Sequence, residues 1–100
     1  MFFRRRASDY ILTPSLAGHL EVIFTEALPG GGSGADAHTH DSDEEFALVV
    51  KGRVRFWIGD DEYLVESGDS LTFSSRTPHR WENAGRGKAQ ILWALTPPSM

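Results

Sequence analysis

The chain has 100 residues, 40% of them hydrophobic and 24% charged, which is the length and composition of one soluble globular domain. Its formal net charge of −4 argues against direct nucleic-acid binding by this domain, because contact with phosphates needs a basic face. No apolar run approaches the roughly 20 residues that a membrane span needs, and the absence of cysteine excludes disulfides, thiolate metal sites and cysteine nucleophiles.

Residues 1–9 are polar and basic, and we expect them to form an arm or a linker remnant before a single domain at residues 10–100. The arginines near the start are followed by Ser8 and Asp9 instead of an apolar stretch, so this segment is not a secretory signal. Together with the lack of cysteine, this pattern predicts a cytoplasmic protein that makes no contact with a membrane.

Short apolar segments bounded by Gly, Pro, Asp and Ser follow one another along the rest of the chain, and long helical periodicity is missing. Segments rich in β-branched and aromatic residues predict strands at residues 20–25, 46–50, 53–58, 63–65, 71–73, 79–83 and 90–95. Helix is expected only as a stray turn near residues 15–17. Short strands at this spacing predict an all-β domain, either a sandwich or a closed barrel.

A glycine-rich loop at residues 29–34 leads directly into a segment of histidines and acidic residues. His38 and His40 are two residues apart, so on an extended chain both side chains reach the same side. A carboxylate follows at Glu44 or Glu45, which strand alternation sends to opposite faces. His79, on a distant strand, supplies a third imidazole. Three nitrogens and one oxygen would leave an octahedral transition metal two open positions.

Aromatic residues near this cluster are candidates for the wall of a ligand pocket. Trp81 lies two residues after His79 and shares its face, and Phe56 is a second candidate. For each of these aromatic residues, a place in the core is an equally good interpretation. Asn83 continues the same face and is expected to satisfy a buried backbone group, whereas His19 is expected at the surface.

The spacing of these residues resembles the two sequence motifs of the cupin superfamily, over about residues 20–95. The first motif is matched at Gly32, His38, His40, Glu45 and Gly52, and the second at Gly68, Asp69, His79 and Asn83. Ser74 and Arg76 stand where the family has proline and glycine. The resemblance implies a jelly-roll barrel (a double-stranded β-helix) with one divalent metal ion, Fe, Mn, Ni, Zn or Cu, inside one end. The metal ligands that it implies are His38, His40, Glu45 and His79.

A finer resemblance is to the cupin domain at the C-terminal end of bacterial transcription regulators that carry a helix-turn-helix. This resemblance rests on the arginine-rich start, on segments 10–14, 44–46, 68–70 and 78–80, and on the ending at 95–100. It implies a sensory domain that binds a small anionic or oxygen-rich ligand through the metal, either detached from its DNA-binding part or free-standing. It also implies a homodimer, because cupins usually pair through a sheet face.

Two other functions remain as alternatives, since the cupin fold hosts several chemistries. One is a small dioxygenase or related oxidoreductase that uses Fe(II) at the two open positions. The other is a metal-free isomerase or carbohydrate-binding protein in which His38 or His79 acts as general base. The sensory function is favoured by the regulator-like segments and by the lack of an evident further acid–base group near the metal ligands.

Overall fold

The computed structural model describes residues 2–4 and 6–99, and it describes side chains from residue 6 onward. This part of the chain contains no helix long and apolar enough to cross a membrane. Its strands are β1 (Phe2–Arg4), β2 (Ala7–Ile11), β3 (Glu21–Ala27), β4 (Glu44–Lys51), β5 (Arg53–Ile58), β6 (Asp61–Glu66), β7 (Ser70–Ser74), β8 (His79–Asn83) and β9 (Ala89–Thr96).

Two antiparallel sheets face each other and enclose the core. One has six strands in the order β1-β2-β3-β9-β4-β7, and the other has three in the order β6-β5-β8. Strands β3 to β9 coincide with the seven predicted strands, with ends that agree within two residues. The all-β, jelly-roll prediction is therefore confirmed.

Residues 2–4 and 7–9, which the sequence suggested as part of an arm, lie in the sheet. Strand β2 pairs with β3 from Ala7 opposite Ala27 to Ile11 opposite Ile23, and β1 pairs with β2. Ala7 and Asp9 point inward and are 3% and 2% exposed. The charged side chain at position 9 hides the strand alternation in the sequence, which is why this segment resembles a tail. Within residues 12–20 the chain makes bends but no helical turn.

Inward-facing side chains fill the barrel unevenly from one end to the other. Rings of Phe56 and Trp81 each lie 5.9 Å from the ring of Trp93, and together they form the middle of the core. Alanine at positions 27 and 89 leaves room for this aromatic cluster at the closed end. At the other end, the paired residues Glu45 and Leu95 and the neighbouring His79 bring polar groups inside.

Asn83 closes the apolar end of the barrel by bonding to the backbone, as predicted. Its side chain is 3% exposed, and its Nδ2 donates to the carbonyl oxygens of Ala27 and Gly87 at 3.0 and 2.9 Å. Its Oδ1 accepts a hydrogen bond from the backbone N–H of Gly85 at 2.9 Å. The amide thus satisfies three backbone groups that the barrel would otherwise bury without partners.

Gly32 lets the loop before the histidines pass directly over strand β8. It forms an isolated antiparallel bridge with Glu82, and a Cβ atom at this position would overlap the carbonyl oxygen of Trp81. Since that oxygen belongs to a strand backbone, it cannot move aside cheaply. The loop therefore needs glycine here to approach the strand closely.

We expect Gly32→Ala to destabilise the fold, because the added methyl group must push the loop off β8. Overpacking of this kind costs about 2 kcal/mol, which for a domain of this size lowers Tm by on the order of 10 °C. Thermal unfolding followed by circular dichroism measures the effect. Gly18→Ala is the matched control, since nothing lies within 4 Å of a Cβ there. Equal Tm values for the two variants would contradict the prediction.

Candidate metal centre

The two histidine-bearing segments are joined by a pair of backbone hydrogen bonds. The N–H of His38 donates to the carbonyl oxygen of His79 at 2.8 Å, and the N–H of His79 donates back at 2.9 Å. The N–H of His40 donates to the carbonyl oxygen of Ser75 at 2.9 Å. A reciprocal pair of this kind holds the two residues directly opposite each other, so the segments are fixed side by side.

The three imidazole rings face one another at the open end of the barrel. Ring centroids are 4.5 Å apart for His38 and His79, 4.9 Å for His38 and His40, and 5.2 Å for His40 and His79. Their ligand nitrogens all lie within 4.8 Å of one another. His79 is buried whereas the other two histidines are half-buried, so the loop that carries them forms the solvent-facing side of the cluster.

Glu45 points into the same space from strand β4. Its Oε1 lies 3.7 Å from Nε2 of His79 and 4.0 Å from Nε2 of His40. Alternation along the strand puts residues 45, 47 and 49 inside and leaves Glu44 exposed. Of the two candidate carboxylates in the sequence, Glu45 is thus the one that meets the histidines.

This donor set fits a transition-metal ion. Imidazole and carboxylate groups are common ligands of divalent metals such as Zn and Fe. An ion bonded at about 2.1 Å to each ligand atom keeps any two of those atoms within about 4.2 Å. The histidine nitrogens lie within 4.8 Å of one another, so the cluster has to contract to close on an ion.

A cavity of about 30 Å³ extends from the histidines into the barrel. This is room for two or three water-sized groups. Trp81 lines it, whereas Phe56 is not among the lining residues in the part of the chain that the structure describes, because its ring is packed deeper in the core. Further lining residues are Asp9, Ile23, Thr25, Trp93, Leu95 and Ser99.

Asp9 is the charged lining residue that sequence reasoning missed. The carboxylate is 2% exposed and faces the same cavity as the histidines. Its Oδ1 accepts a hydrogen bond from the hydroxyl of Thr25 at 2.6 Å. The alternation of Ala7, Asp9 and Ile11 on a strand was the available signal, but the neighbouring arginines masked it. The site therefore has an acid–base group that the sequence did not reveal.

Comparison with known proteins gives the family. The family model of the cupin domain matches residues 24–95, which include all four candidate metal ligands. The chain belongs to the cupin family. An uncharacterized protein of Methanocaldococcus jannaschii is 28% identical over 88 residues, which are 88% of this cupin and 70% of that protein.

Two further relatives show how widely the fold is shared. Polyketide synthase CurC of Streptomyces cyaneus is 27% identical to this cupin over 94% of the chain and 62% of its own length. The crystal structure of the cupin domain of an XRE-family transcriptional regulator from Enterobacter cloacae superposes with a TM-score of 0.82. It covers 93% of this cupin and 98% of that domain at 15% identity, so the superposition shows a common fold.

The turn before His79 departs from the family pattern in sequence but keeps the histidine in place. The N–H of Thr77 donates to the carbonyl oxygen of Ser74 at 3.1 Å, which closes a tight turn. Ser75 is fully buried, and its hydroxyl lies 2.6 Å from the hydroxyl of Ser42. These hydrogen bonds hold the turn without the proline and glycine that the family has at positions 74 and 76.

The His79 ring is oriented by this same turn. Its Nδ1 lies 2.8 Å from the carbonyl oxygen of Thr77. Because a carbonyl oxygen can only accept, Nδ1 carries the hydrogen, and in the neutral ring Nε2 then carries the lone pair. Nε2 is the atom that faces Glu45, so the turn presets the tautomer that a metal ligand needs.

We expect His79 in the metal-free protein at pH 8 to be in the form with hydrogen on Nδ1. Two-bond nitrogen–proton correlation spectra distinguish the two imidazole tautomers directly. His19 is exposed and serves as the control, with the mixture of tautomers typical of a solvated ring. Hydrogen on Nε2 of His79 would contradict the prediction.

Proposed function

We propose that this cupin binds one divalent transition-metal ion, which holds a small-molecule ligand inside the barrel. The proposed metal ligands are His38, His40, Glu45 and His79. The observation that carries the proposal is the convergence of three imidazoles and one buried carboxylate on one end of the barrel. Buried carboxylates are rare unless they are paired or coordinate a metal.

Several ions suit this donor set. Fe, Mn, Ni, Zn and Cu all accept imidazole nitrogen together with carboxylate oxygen, so the metal available to the protein helps to decide which one is bound. When bound, such an ion supplies a Lewis acid with positions left open for water or an organic oxygen atom. The chain itself contributes the orientation of His79 through Thr77, and Trp81 and Leu95 shield the cavity from solvent.

The metal ligands are tested by comparing Glu45→Gln with Glu44→Gln. Glu45→Gln keeps the shape of the side chain but removes its negative charge, and we expect metal affinity to fall at least tenfold. Glu44→Gln makes the same change on the exposed face and should leave the affinity unchanged. Elemental analysis of purified protein and competition titration with a chelator measure both effects.

A double variant, His38→Ala with His79→Ala, provides the reference for an abolished site. We expect about one ion per chain in the parent protein and none in this variant. If the parent holds no metal after reconstitution with divalent ions, the proposed metal centre is wrong. Equal loss of affinity in Glu44→Gln and Glu45→Gln would remove Glu45 from the ligand set.

We further propose a sensory role in regulation of transcription. This proposal is supported by the regulator-like segments of the sequence and by a fold that matches almost the whole cupin domain of an XRE-family regulator. A regulator of transcription acts in the compartment that holds the DNA, so the proposal includes a cytoplasmic location. Zinc or nickel as the recovered ion favours this role, because neither needs to react with oxygen.

A metal-dependent oxidoreductase is the second candidate, and one observation favours it. Asp9 lines the cavity beside the proposed metal ligands, so an acid–base group is at hand for a reaction on a bound molecule. A relative of this cupin is named a polyketide synthase, which is the name of an enzyme. Iron as the recovered ion, with oxygen uptake when a substrate is added, would favour this candidate over the sensory one.

We propose that two copies of this cupin pair through the outer face of the six-stranded sheet. Outward-facing positions there carry a band of partly exposed apolar side chains, the outer apolar face, formed by Tyr10, Val22, Phe24, Phe46, Leu48, Leu92 and Ala94. The residues are neighbours across the strands: Phe24 is paired with Tyr10 and Leu92. A contiguous apolar band of this kind is typical of an interface, and a twofold axis lets one face serve both partners.

We expect Phe24→Glu to weaken this dimer by on the order of a hundredfold, because each interface would receive two unpaired charges. Analytical ultracentrifugation over a range of concentrations measures the dissociation constant. Leu64→Glu is the matched control, since Leu64 is exposed on β6 in the other sheet. A monomeric parent protein, or equal weakening by both substitutions, would contradict the proposal.

A further inference from the structure

The histidine loop, residues 32–40, carries two of the proposed metal ligands and runs beside strand β8. Isolated antiparallel bridges join it to that strand at two places, Gly32 with Glu82 and His38 with His79. Between these bridges, five loop residues lie opposite only two residues of the strand. The extra residues leave the middle of the loop outside the regular ladder, so other contacts have to hold it in place.

The side chain of Arg80 reaches from β8 to this middle part of the loop. Its Nε–H donates to the carbonyl oxygen of Gly34 at 3.0 Å. A charged donor makes a stronger hydrogen bond than a neutral one, and the Arg80 side chain is only 23% exposed. Glu82, on the same face of the strand, lies 4.0 Å away, which is too far for a hydrogen bond. The bond to Gly34 is therefore the stronger of these two polar contacts.

Trp57 supports the guanidinium that makes this bond. Cζ of Arg80 lies 3.9 Å from the centroid of the Trp57 ring, which is a cation–π contact. The two residues are directly opposite each other in the paired strands β5 and β8, so the register of the sheet sets the contact. Because a guanidinium is planar, it can lie against the ring and still donate hydrogen bonds in its own plane.

The ring of Trp57 is itself held in place. Its Nε1–H donates to Oε1 of Glu62 at 2.9 Å, and Glu62 is directly opposite Trp57 on β6. Oε2 of the same carboxylate accepts a hydrogen bond from Nη1 of Arg55 at 2.7 Å. These contacts run across all three strands of the smaller sheet, so a paired sheet supports the side chain that reaches the loop.

A role in the sheet alone does not account for the bond to Gly34. Gly34 belongs to none of the strands, and β5 and β8 are already paired over five residues. The bond therefore stabilises the histidine loop and, through it, the positions of His38 and His40. A loop held by few hydrogen bonds opens locally without unfolding of the domain. Such an opening would carry two imidazoles away from Glu45 and His79.

We propose that Arg80 is a positioning residue of the metal centre, which holds the histidine loop against β8 and thereby slows the release of the bound ion. The inference rests on the proposed metal centre and adds to it a residue outside the ligand set. Because the loop carries two of the four proposed ligands, its opening frees half of that set at once. The ease of opening, which Arg80 and Trp57 reduce, then sets the rate of release.

Arg80→Lys tests this role, because lysine keeps the positive charge but has neither the planar face nor the Nε–H of arginine. Protein loaded with Co²⁺ is mixed with excess EDTA, and the loss of the visible absorption of bound cobalt gives the release rate. We expect release about tenfold faster than in the parent protein, which corresponds to the loss of one hydrogen bond from a charged donor. The absorption spectrum of the bound cobalt should stay the same, since the ligand atoms are unchanged. A changed spectrum would overturn the positioning role.

Arg53→Lys is the matched control. Arg53 lies on β5, its side chain is 52% exposed, and its ion-pair partner is Glu66 at 3.9 Å, so this variant should release cobalt at the parent's rate. Amide hydrogen exchange in the metal-free protein adds a measurement that does not depend on the ion. The N–H of His38, which donates to His79, should exchange about tenfold faster in Arg80→Lys. Amides of the central strand β9 should keep their rates.

Trp57→Leu removes the support and leaves both partners of the bond between Arg80 and Gly34 in place. We expect release about threefold faster, which corresponds to the loss of one partly exposed cation–π contact. Trp57→Phe restores an aromatic face and should return the rate toward that of the parent. Equal release rates in the two variants would contradict the proposal.

The outcomes separate the inference from the proposed function. A parent protein that fails to bind cobalt refutes the metal centre and the inference with it. Cobalt that leaves Arg80→Lys at the parent's rate refutes the inference alone, as does equal acceleration in Arg53→Lys. Should Arg80→Lys not fold, the comparison of Trp57→Leu with Trp57→Phe decides, since both leave Arg80 in place.

Discussion

The reciprocal backbone hydrogen bonds between His38 and His79 are the contact on which the candidate site depends. They join a loop to the first residue of β8, and in doing so they bring together two segments that are far apart in the chain. Without this pairing, the loop imidazoles would have no fixed relation to His79. The turn at 74–77 completes the arrangement, because it aims the ring of His79 through Thr77.

Polar groups that are buried inside this small barrel need hydrogen-bond partners. At the closed end, Asn83 bonds to three backbone groups, and the middle is filled by aromatic rings. Near the open end, Ser42 and Ser75 bond to each other, and Glu21 accepts a hydrogen bond from the N–H of Ser99 at 3.1 Å. Polar burial is therefore concentrated where the cavity is, and the apolar remainder stabilises the fold.

The strands β3 to β9 could be predicted from local spacing, and the resemblance to the cupin motifs predicted that His38, His40 and His79 come together. Alternation marks β3 to β9, and the pair His38 and His40 reaches one side of an extended chain whatever the surroundings. The strand β2 could not be predicted, because Asp9 and the arginines that precede the strand resemble a solvated tail until β3 is known to pair with it. How deep each side chain lies inside the barrel could not be predicted from the sequence either. Phe56 and Trp81 are opposite each other across paired strands. Of these two residues, Trp81 lines the cavity and Phe56 is not among the described lining residues.

The proposed metal ligands stand at motif positions, whereas most other residues that line the cavity lie outside the motifs. The residue types of the four proposed ligands suit a transition-metal ion. Wall residues outside the motifs are free to vary on the same fold. In this cupin the wall is completed by β2, a strand beyond the region that the family model matches, and it brings a carboxylate supported by Thr25 and Trp93.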